Sequence, residues 1–473
     1  MKQELARFGG GLAETALNPY AMLVVLIACL LILLLPRKYV VIPLLIPSFL
    51  LPLGQVIVVG SLHFMMFRIL IIVALIRLMW RELPSLGHQF RMNAIDKAFV
   101  LWIFSSVVAF TLLWGEWGAF VQRMGTLLNA LGIYFVLRFV CRDLKDVDRT
   151  TKVFAVVCAV AAACMLYERS TGRNLFHVFG GVPEFTGIRE GQLRAQGPFA
   201  HPILAGTFGA TLVPLFIGLW WQNTKSRTLA VAGTVSATVI AITAASSTAL
   251  VAYAAGVGAL LFWPLRKWMR WFRWGVVVTL IGLHIVMKAP VWSLIGRFDV
   301  VGGSSGYHRY FLVDQFIRRF GEWWLVGIKS TNGWGWDMWD TSNQYVETGV
   351  TGGVVTLIFF FAVIVYCFKA LGKARKTARG TPGAQHRLWC LGSTFFANLV
   401  GFFGITYFDQ TSLYWYALIA MISAVTVATL AMSSEKAASA AVPVPDYNGL
   451  ALNAQPAGTR DWPGVSAGSF TGN

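Results

Sequence analysis

The 37 residues from 228 to 264, TLAVAGTVSATVIAITAASSTALVAYAAGVGALLFWP, contain no charged side chain. A helix crosses a hydrocarbon core of about 30 Å with about 20 apolar residues, so this stretch is nearly two crossings long. Its polar cluster, Ser246-Ser247-Thr248, falls at the middle. It therefore reads as two membrane-spanning helices, 228–245 and 248–264, folded back on a tight turn.

Comparable apolar runs continue in both directions, at 20–36, 39–60, 62–80, 98–114, 120–140, 152–168, 202–221, 274–292, 350–368, 388–408 and 412–431. With the central pair they predict an all-α, polytopic helical bundle of about 12–13 transmembrane helices. Pro43, Pro47 and Pro52 can break the second run into a re-entrant hairpin. Composition agrees: 56% of the 473 residues are apolar, 13% are charged, and the mean hydropathy is +0.63. Too little polar surface remains to cover a globule in water, which excludes a soluble enzyme, a coiled coil and a disordered chain. None of the six cysteines stands in a CxxC or a Cys/His cluster, so neither a zinc site nor a disulfide framework is expected.

The net charge of +18 suggests nucleic acid until its distribution is read. Arg37-Lys38, the 77–97 and 138–152 clusters, Lys225 and Arg227, the 266–273 cluster and the 369–387 cluster occupy alternate connections. Short loops rich in Lys and Arg stay in the cytoplasm; no nucleic-acid partner is expected. Two long connections, 169–201 and 293–349, belong to the opposite set and are expected to face outward. Residues 1–432 form the bundle in this scheme, and 433–473, rich in Ala, Pro, Gly and Ser, read as a disordered cytoplasmic tail.

The outer loops hold the candidate chemistry. Arg194-Ala-Gln-Gly-Pro-Phe-Ala-His201-Pro202 ends the first loop with a turn and a helix start. Arg189 and Arg194 there suit a phosphate, because guanidinium is a planar fork of donors that stays charged. They can equally pair with Glu168, Glu184 and Glu190 or with lipid headgroups. In the second loop, residues 309–320 (RYFLVDQFIRRF) place Leu312, Phe316, Ile317 and Phe320 on one helical face. Such a helix is expected in the membrane interface plane, with His308 and Arg309 at its start. Trp334 and Trp336 suit stacking on sugar rings as well as interfacial anchoring, and Trp323 and Trp324 suit anchoring. Asp337, Asp340, Asn343, Tyr345 and Glu347 close the loop, and a carboxylate among them is a candidate general base. His177, His201 and His308 are isolated in sequence, so no metal is expected.

These pieces together resemble the O-antigen ligase and O-antigen polymerase family of integral membrane proteins. The residues that carry the resemblance are Arg194 through Pro202, the Ser246-Ser247-Thr248 turn, Gly306-Tyr-His-Arg309, and Ser342-Asn343-Gln-Tyr345 running into Gly349. The resemblance covers about residues 190–370. It implies metal-independent, inverting glycosyl transfer without a cofactor, acting on undecaprenyl-pyrophosphate-linked glycans at the periplasmic face of a bacterial inner membrane. Arg194 and Arg309 would hold the pyrophosphate and Asp340 would be the base, with Arg189, His201, His308, Trp334, Trp336, Asn343 and Tyr345 binding substrate. The lipid bilayer is a partner throughout, and a chain-length regulator or export complex is a further one. The ligases carry a histidine just before the asparagine, where this chain has Ser342. That difference favours a repeat-unit polymerase over a ligase. A transporter would need ionisable residues mid-span or paired broken helices. Arg68, Arg123 and Lys288 are the near-membrane exceptions, and snorkelling accounts for them.

Overall fold

The computed structural model describes residues 17–59, 62–82, 91–297 and 305–441. Residues 1–430 form one compact unit. Of the second unit, 431–473, only 431–441 are described, as helix. The expected tail, 433–473, thus lies largely outside the described residues.

Helices make up almost all of the regular structure. They are α1 (Pro19–Leu34), α2 (Val41–Leu50), α3 (Met66–Arg77), α4 (Ala94–Trp114), α5 (Trp117–Val140), α6 (Leu144–Thr171) and α7 (Pro202–Gly218). There follow α8 (Arg227–Thr243), α9 (Ser247–Leu261), α10 (Met269–Val286), α11 (Ser305–Arg318), α12 (Gln344–Thr377), α13 (Pro382–Gly401) and α14 (Asp409–Ala441). Besides a one-turn helix at Phe320–Trp323 and several short 3-10 or π turns, there are two small antiparallel hairpins: β1 (Val56–Val59) with β2 (Leu62–Met65), and β3 (Ile188–Arg189) with β4 (Gln192–Leu193).

Eight helices among the described residues are long and apolar enough to cross a membrane. They answer to eight of the thirteen expected spans. The other five are shorter or more polar. α1 and α9 have 16 and 15 residues. The 39–60 run is not one span: α2 ends at Leu50 before Pro52, and the chain then enters the β1–β2 hairpin. α3 has 12 residues, and α13, although 20 residues long, is too polar to qualify.

The quoted stretch divides as its polar cluster suggests. α8 ends at Thr243 and α9 begins at Ser247, with Ala245 between them at φ 43°. α7 is the central helix and packs against α8, α9 and α13. Small residues permit this: a Cβ on Gly209 would come within 2.8 Å of Ala237 O, and one on Gly206 within 2.8 Å of Ala244 Cβ. Lipid tails are as apolar as leucine, so close backbone approach of this kind does the work that water exclusion does in a soluble core.

The basic connections meet at one end of the unit. Arg37 pairs with Asp146 at 3.2 Å and Arg138 with Asp96 at 3.4 Å, Arg387 reaches Asp148, and Arg77 donates to Leu35 O at 2.6 Å. The 169–201 segment and residues 305–349 meet at the other end, here called the loop end. There Ala195 N–H donates to Thr243 O, Gln344 N–H to Phe402 O, and the Gln410 amide to Leu51 O and Pro198 O.

α12 is broken. Gly353 adopts φ 70° within it, so residues 344–352 and 354–377 are separate helical segments. The backbone groups released by the break are taken up by the loop: Ile328 N–H donates to Val350 O at 2.7 Å, and Val354 N–H to Trp324 O at 2.8 Å. A Cβ at Gly353 would overlap Leu325 O.

Gly353→Val combines a left-handed backbone with that overlap and is expected to destabilise the fold by at least about 2 kcal/mol, read as a lowered Tm of the purified protein. If the unit spans a bilayer, single cysteines at Ile188 and at Arg379, from opposite ends, should be labelled by an impermeant maleimide from opposite sides.

Candidate functional site

A short antiparallel hairpin, β3–β4, with Glu190 at φ 52° and Gly191 at φ 73° in its turn, leads the chain into Arg194. Arg194 N–H donates to Gly187 O at 3.0 Å, and Ala195 N–H to Thr243 O at 3.1 Å. The Glu168 carboxylate at the end of α6 accepts from Gln196 N–H (3.1 Å), Gly197 N–H (2.8 Å) and the Thr186 hydroxyl (3.2 Å). Glu168 is therefore committed to fixing the loop backbone, not to neutralising an arginine. Beyond Pro198 the segment closes on the helix: Ala200 N–H donates to Asp409 at 2.7 Å, and His201 caps α7 by accepting from Ile203 N–H at 3.2 Å.

Arg194 is 9% exposed, and its Nε donates to Ala244 O at 3.4 Å. Among the described residues it makes no ion pair, and no residue accepts from its Nη atoms. Arg309, also 9% exposed, lies on α11 and donates from Nη2 to Thr248 Oγ1 at 2.9 Å. The two side chains, 115 positions apart, thus reach opposite sides of one turn, Ala244 to Thr248. Arg189 adds a second positive charge beside Arg194.

Burial, and then the charges of Arg194 and Arg189, push the His201 imidazole down to about 4. At neutral pH it is an uncharged cap. Next to Arg309, His308 Nε2 lies 3.1 Å from the backbone oxygen of Asp340. The Asp340 side chain is open to solvent on one side, yet the protein around it raises its carboxyl above the usual range. His308 opposes that rise, Asp337 adds to it, and Arg309 opposes it. A carboxylate held up in this way, within the field of a guanidinium, is suited to exchange a proton with a hydroxyl group. Asp337 itself sits at φ 59°.

Several expected binding residues have other work. Trp334 is 3% exposed and donates to Glu322 Oε2 at 2.9 Å. It belongs to the loop's own core with Leu312, Trp323, Met338, Val346 and Val350, so no ring face is open to a sugar. Trp323, expected as an anchor, stacks on Phe316 at 4.0 Å in that core. Of the 309–320 face, Leu312 and Phe316 turn inward to this core, while Ile317 and Phe320 remain exposed. Asn343 is fully buried and caps α12, accepting from Tyr345 N–H and Val346 N–H at 3.0 and 3.2 Å. Tyr345 donates to Leu399 O at 2.8 Å within a cluster of four phenylalanine rings. Trp336, at 94% exposure, is the indole of the pair that is free to stack.

No family model and no curated protein matches this chain. Among the described residues, no three His, Cys, Asp or Glu side chains converge as a metal would require.

Three residues have roles here that their sequence positions do not disclose. Thr248 was seen as part of a turn, and its hydroxyl is the partner of Arg309. Glu347, at the start of α12, accepts from the Thr341 hydroxyl and faces the charges of Arg123 and Asp340. Arg123 lies 3.8 Å from the centroid of the Phe110 ring, so it is held inside the protein where snorkelling had been expected. Arg68 is likewise bound, to Asn129 at 3.0 Å and to His63 O. An arginine near a span boundary is the signal that was available for both.

Because the folded imidazole of His201 binds its proton only near pH 4, and an unfolded one near 6.5, the unfolded chain takes up the proton first as pH falls. The contribution of His201 to stability is complete above about 6.5 and is lost between there and 4. His201→Asn can cap the same N–H, so its Tm should fall less steeply than the wild type's across that window. Parallel slopes would assign the loss to other groups.

Proposed function

We propose that this protein polymerises undecaprenyl-pyrophosphate-linked oligosaccharide repeat units into an exopolysaccharide, capsule or O-antigen, with the loop end on the periplasmic side of a bacterial inner membrane. The observation that carries the proposal is the convergence of Arg194 and Arg309 on the Ala244–Thr248 turn, with Asp340 in the field of Arg309. Two cationic forks at the mouth of a helical bundle suit a lipid-borne diphosphate, whose isoprenoid tail stays in the bilayer. The gathering of the other basic connections at the far end supports the orientation.

In this reaction a hydroxyl of one repeat unit attacks the anomeric carbon of another from the face opposite the diphosphate. The new glycosidic bond forms as the anomeric C–O bond to phosphate breaks, with inversion. The electron pair leaves with the pyrophosphate, whose growing charge Arg194 and Arg309 stabilise, and the hydroxyl proton passes to Asp340. Trp336 offers an apolar face to a sugar ring near Asp340 in the chain.

Arg194→Ala, Arg309→Ala and Asp340→Asn, each checked for membrane insertion, should lose long polysaccharide on a gel while single repeat units persist. Loss of one charged clamp is expected to lower the rate about 10²–10³-fold. Normal chain lengths in all three variants would remove the site. Long lipid-linked chains that fail to reach an acceptor would point to ligation. Activity of the wild type should also fall on its acid side at a pH above the ordinary carboxylate range, as Asp340 takes up a proton.

A further inference from the structure

The end that gathers the basic connections carries a groove of about 670 Å³ between α2, α6 and the turn after α7. One face of α6 lines it from end to end. Lys145, Arg149 and Lys152 follow at helical spacing, and Val153 and Val156 continue the same face. On α2 the facing positions are Ile42 and Ile46, one turn apart. Arg387 of α13 closes the charged part. The groove is thus cationic at its mouth and apolar farther along α6, over a rise of about 16 Å from Lys145 to Val156.

Its charges are not all used internally. Arg149 and Arg387 are tied to Asp146 and Asp148, which lie behind them, and Arg149 also stands 6.0 Å from the centroid of the Tyr39 ring. Lys145 and Lys152 make no ion pair among the described residues. The apolar wall is open as well: Ile42 is 38% and Val156 45% exposed. A soluble anion would use the cationic part alone and leave that wall in contact with water. A molecule with an anionic head and hydrocarbon chains fills both parts.

We infer that this groove binds an anionic phospholipid of the bilayer, its phosphate between Lys145 and Lys152 and an acyl chain along Ile42, Ile46, Val153 and Val156. The site lies at the opposite end from Arg194 and Arg309 and is independent of glycosyl transfer; it rests only on the unit spanning a membrane. Lys145 and Lys152 stand two helical turns apart on this face, their flexible stems let both ammonium groups reach one phosphodiester, and the chain descends along the helix as the flanking lipids do.

The test uses the full-length protein purified in neutral detergent and titrated separately with dioleoylphosphatidylglycerol and dioleoylphosphatidylcholine, with lipid adducts counted by native mass spectrometry. A phosphatidylglycerol adduct should form where phosphatidylcholine gives none. The double variant Lys145→Ala/Lys152→Ala, which leaves both Asp pairs in place, should weaken that adduct roughly 20- to 30-fold, at about fivefold per lysine. Val156→Ser should weaken it through the chain, and millimolar glycerol phosphate should not displace it. Tm of each variant reports folding. Equal adducts with the two lipids, or unchanged binding in the double variant at unchanged Tm, would overturn the inference. Displacement by glycerol phosphate at the affinity of the lipid would show an anion site without a lipid.

Discussion

The carbonyls at the C-terminal end of α8 set the terms for the loop end. The last turn of any helix leaves oxygen atoms without helical donors and carries the negative end of the dipole. Only three residues separate the end of α8 from the start of α9, so these oxygens are enclosed by protein. A buried carbonyl left unpaired costs about 1–3 kcal/mol. Ala195 N–H supplies Thr243 O, and the Arg194 guanidinium supplies Ala244 O. The need for donors therefore draws a cation to the turn, and Thr248 on the other side gives a second cation its hydrogen bond. Ala245 is held in the left-handed region between them, a strain of about 1–2 kcal/mol that persists because both helices and both arginines fix the turn.

The second long loop is a small folded body fastened to α12. Phe316 lies flat on Trp323, and Gly349 leaves room for both rings, since a Cβ there would come within 2.6 Å of Phe316. Gly353 opens the helix so that residues 324–328 can bond to its freed groups. The four non-glycine residues with positive φ among those described lie in connections at this end (Glu190, Ala245 and Asp337) or at the first position of α14 (Asp409). Strained backbone is concentrated where loops are pinned together.

Much of this arrangement is legible in the chain. A run of 37 uncharged residues with three hydroxyls at its centre admits few foldings, and the turn falls there. The alternation of basic connections follows from charge alone. Length was harder to read, because Pro43, Pro47 and Pro52 shorten one run into α2 and a hairpin, and hydropathy does not register such breaks. Among the aromatic residues, composition treats Trp334 and Trp336 alike. Their fates differ because Glu322, twelve residues before Trp334, gives the buried indole N–H an acceptor, and such a partner is invisible until the loop is folded. Asn343 and Tyr345 resembled ligands for the same reason: a polar group near a helix start looks the same whether it caps the helix or meets a substrate. Glu168 and Thr248 were unremarkable in sequence because what they do is to hold backbone and a distant guanidinium.

α10 has a different relation to the protein from every helix around it. None of its residues is buried, and its neighbours are the short turns on either side. Trp271 and Trp274 near one end are exposed, and His284 near the other accepts from Val291 N–H just beyond the helix. Changes along this helix would leave the interior packing untouched, because nothing in the core leans on it. α10 thus owes its placement to its two ends, and it can accept substitutions along its length that no other part of the fold has to answer.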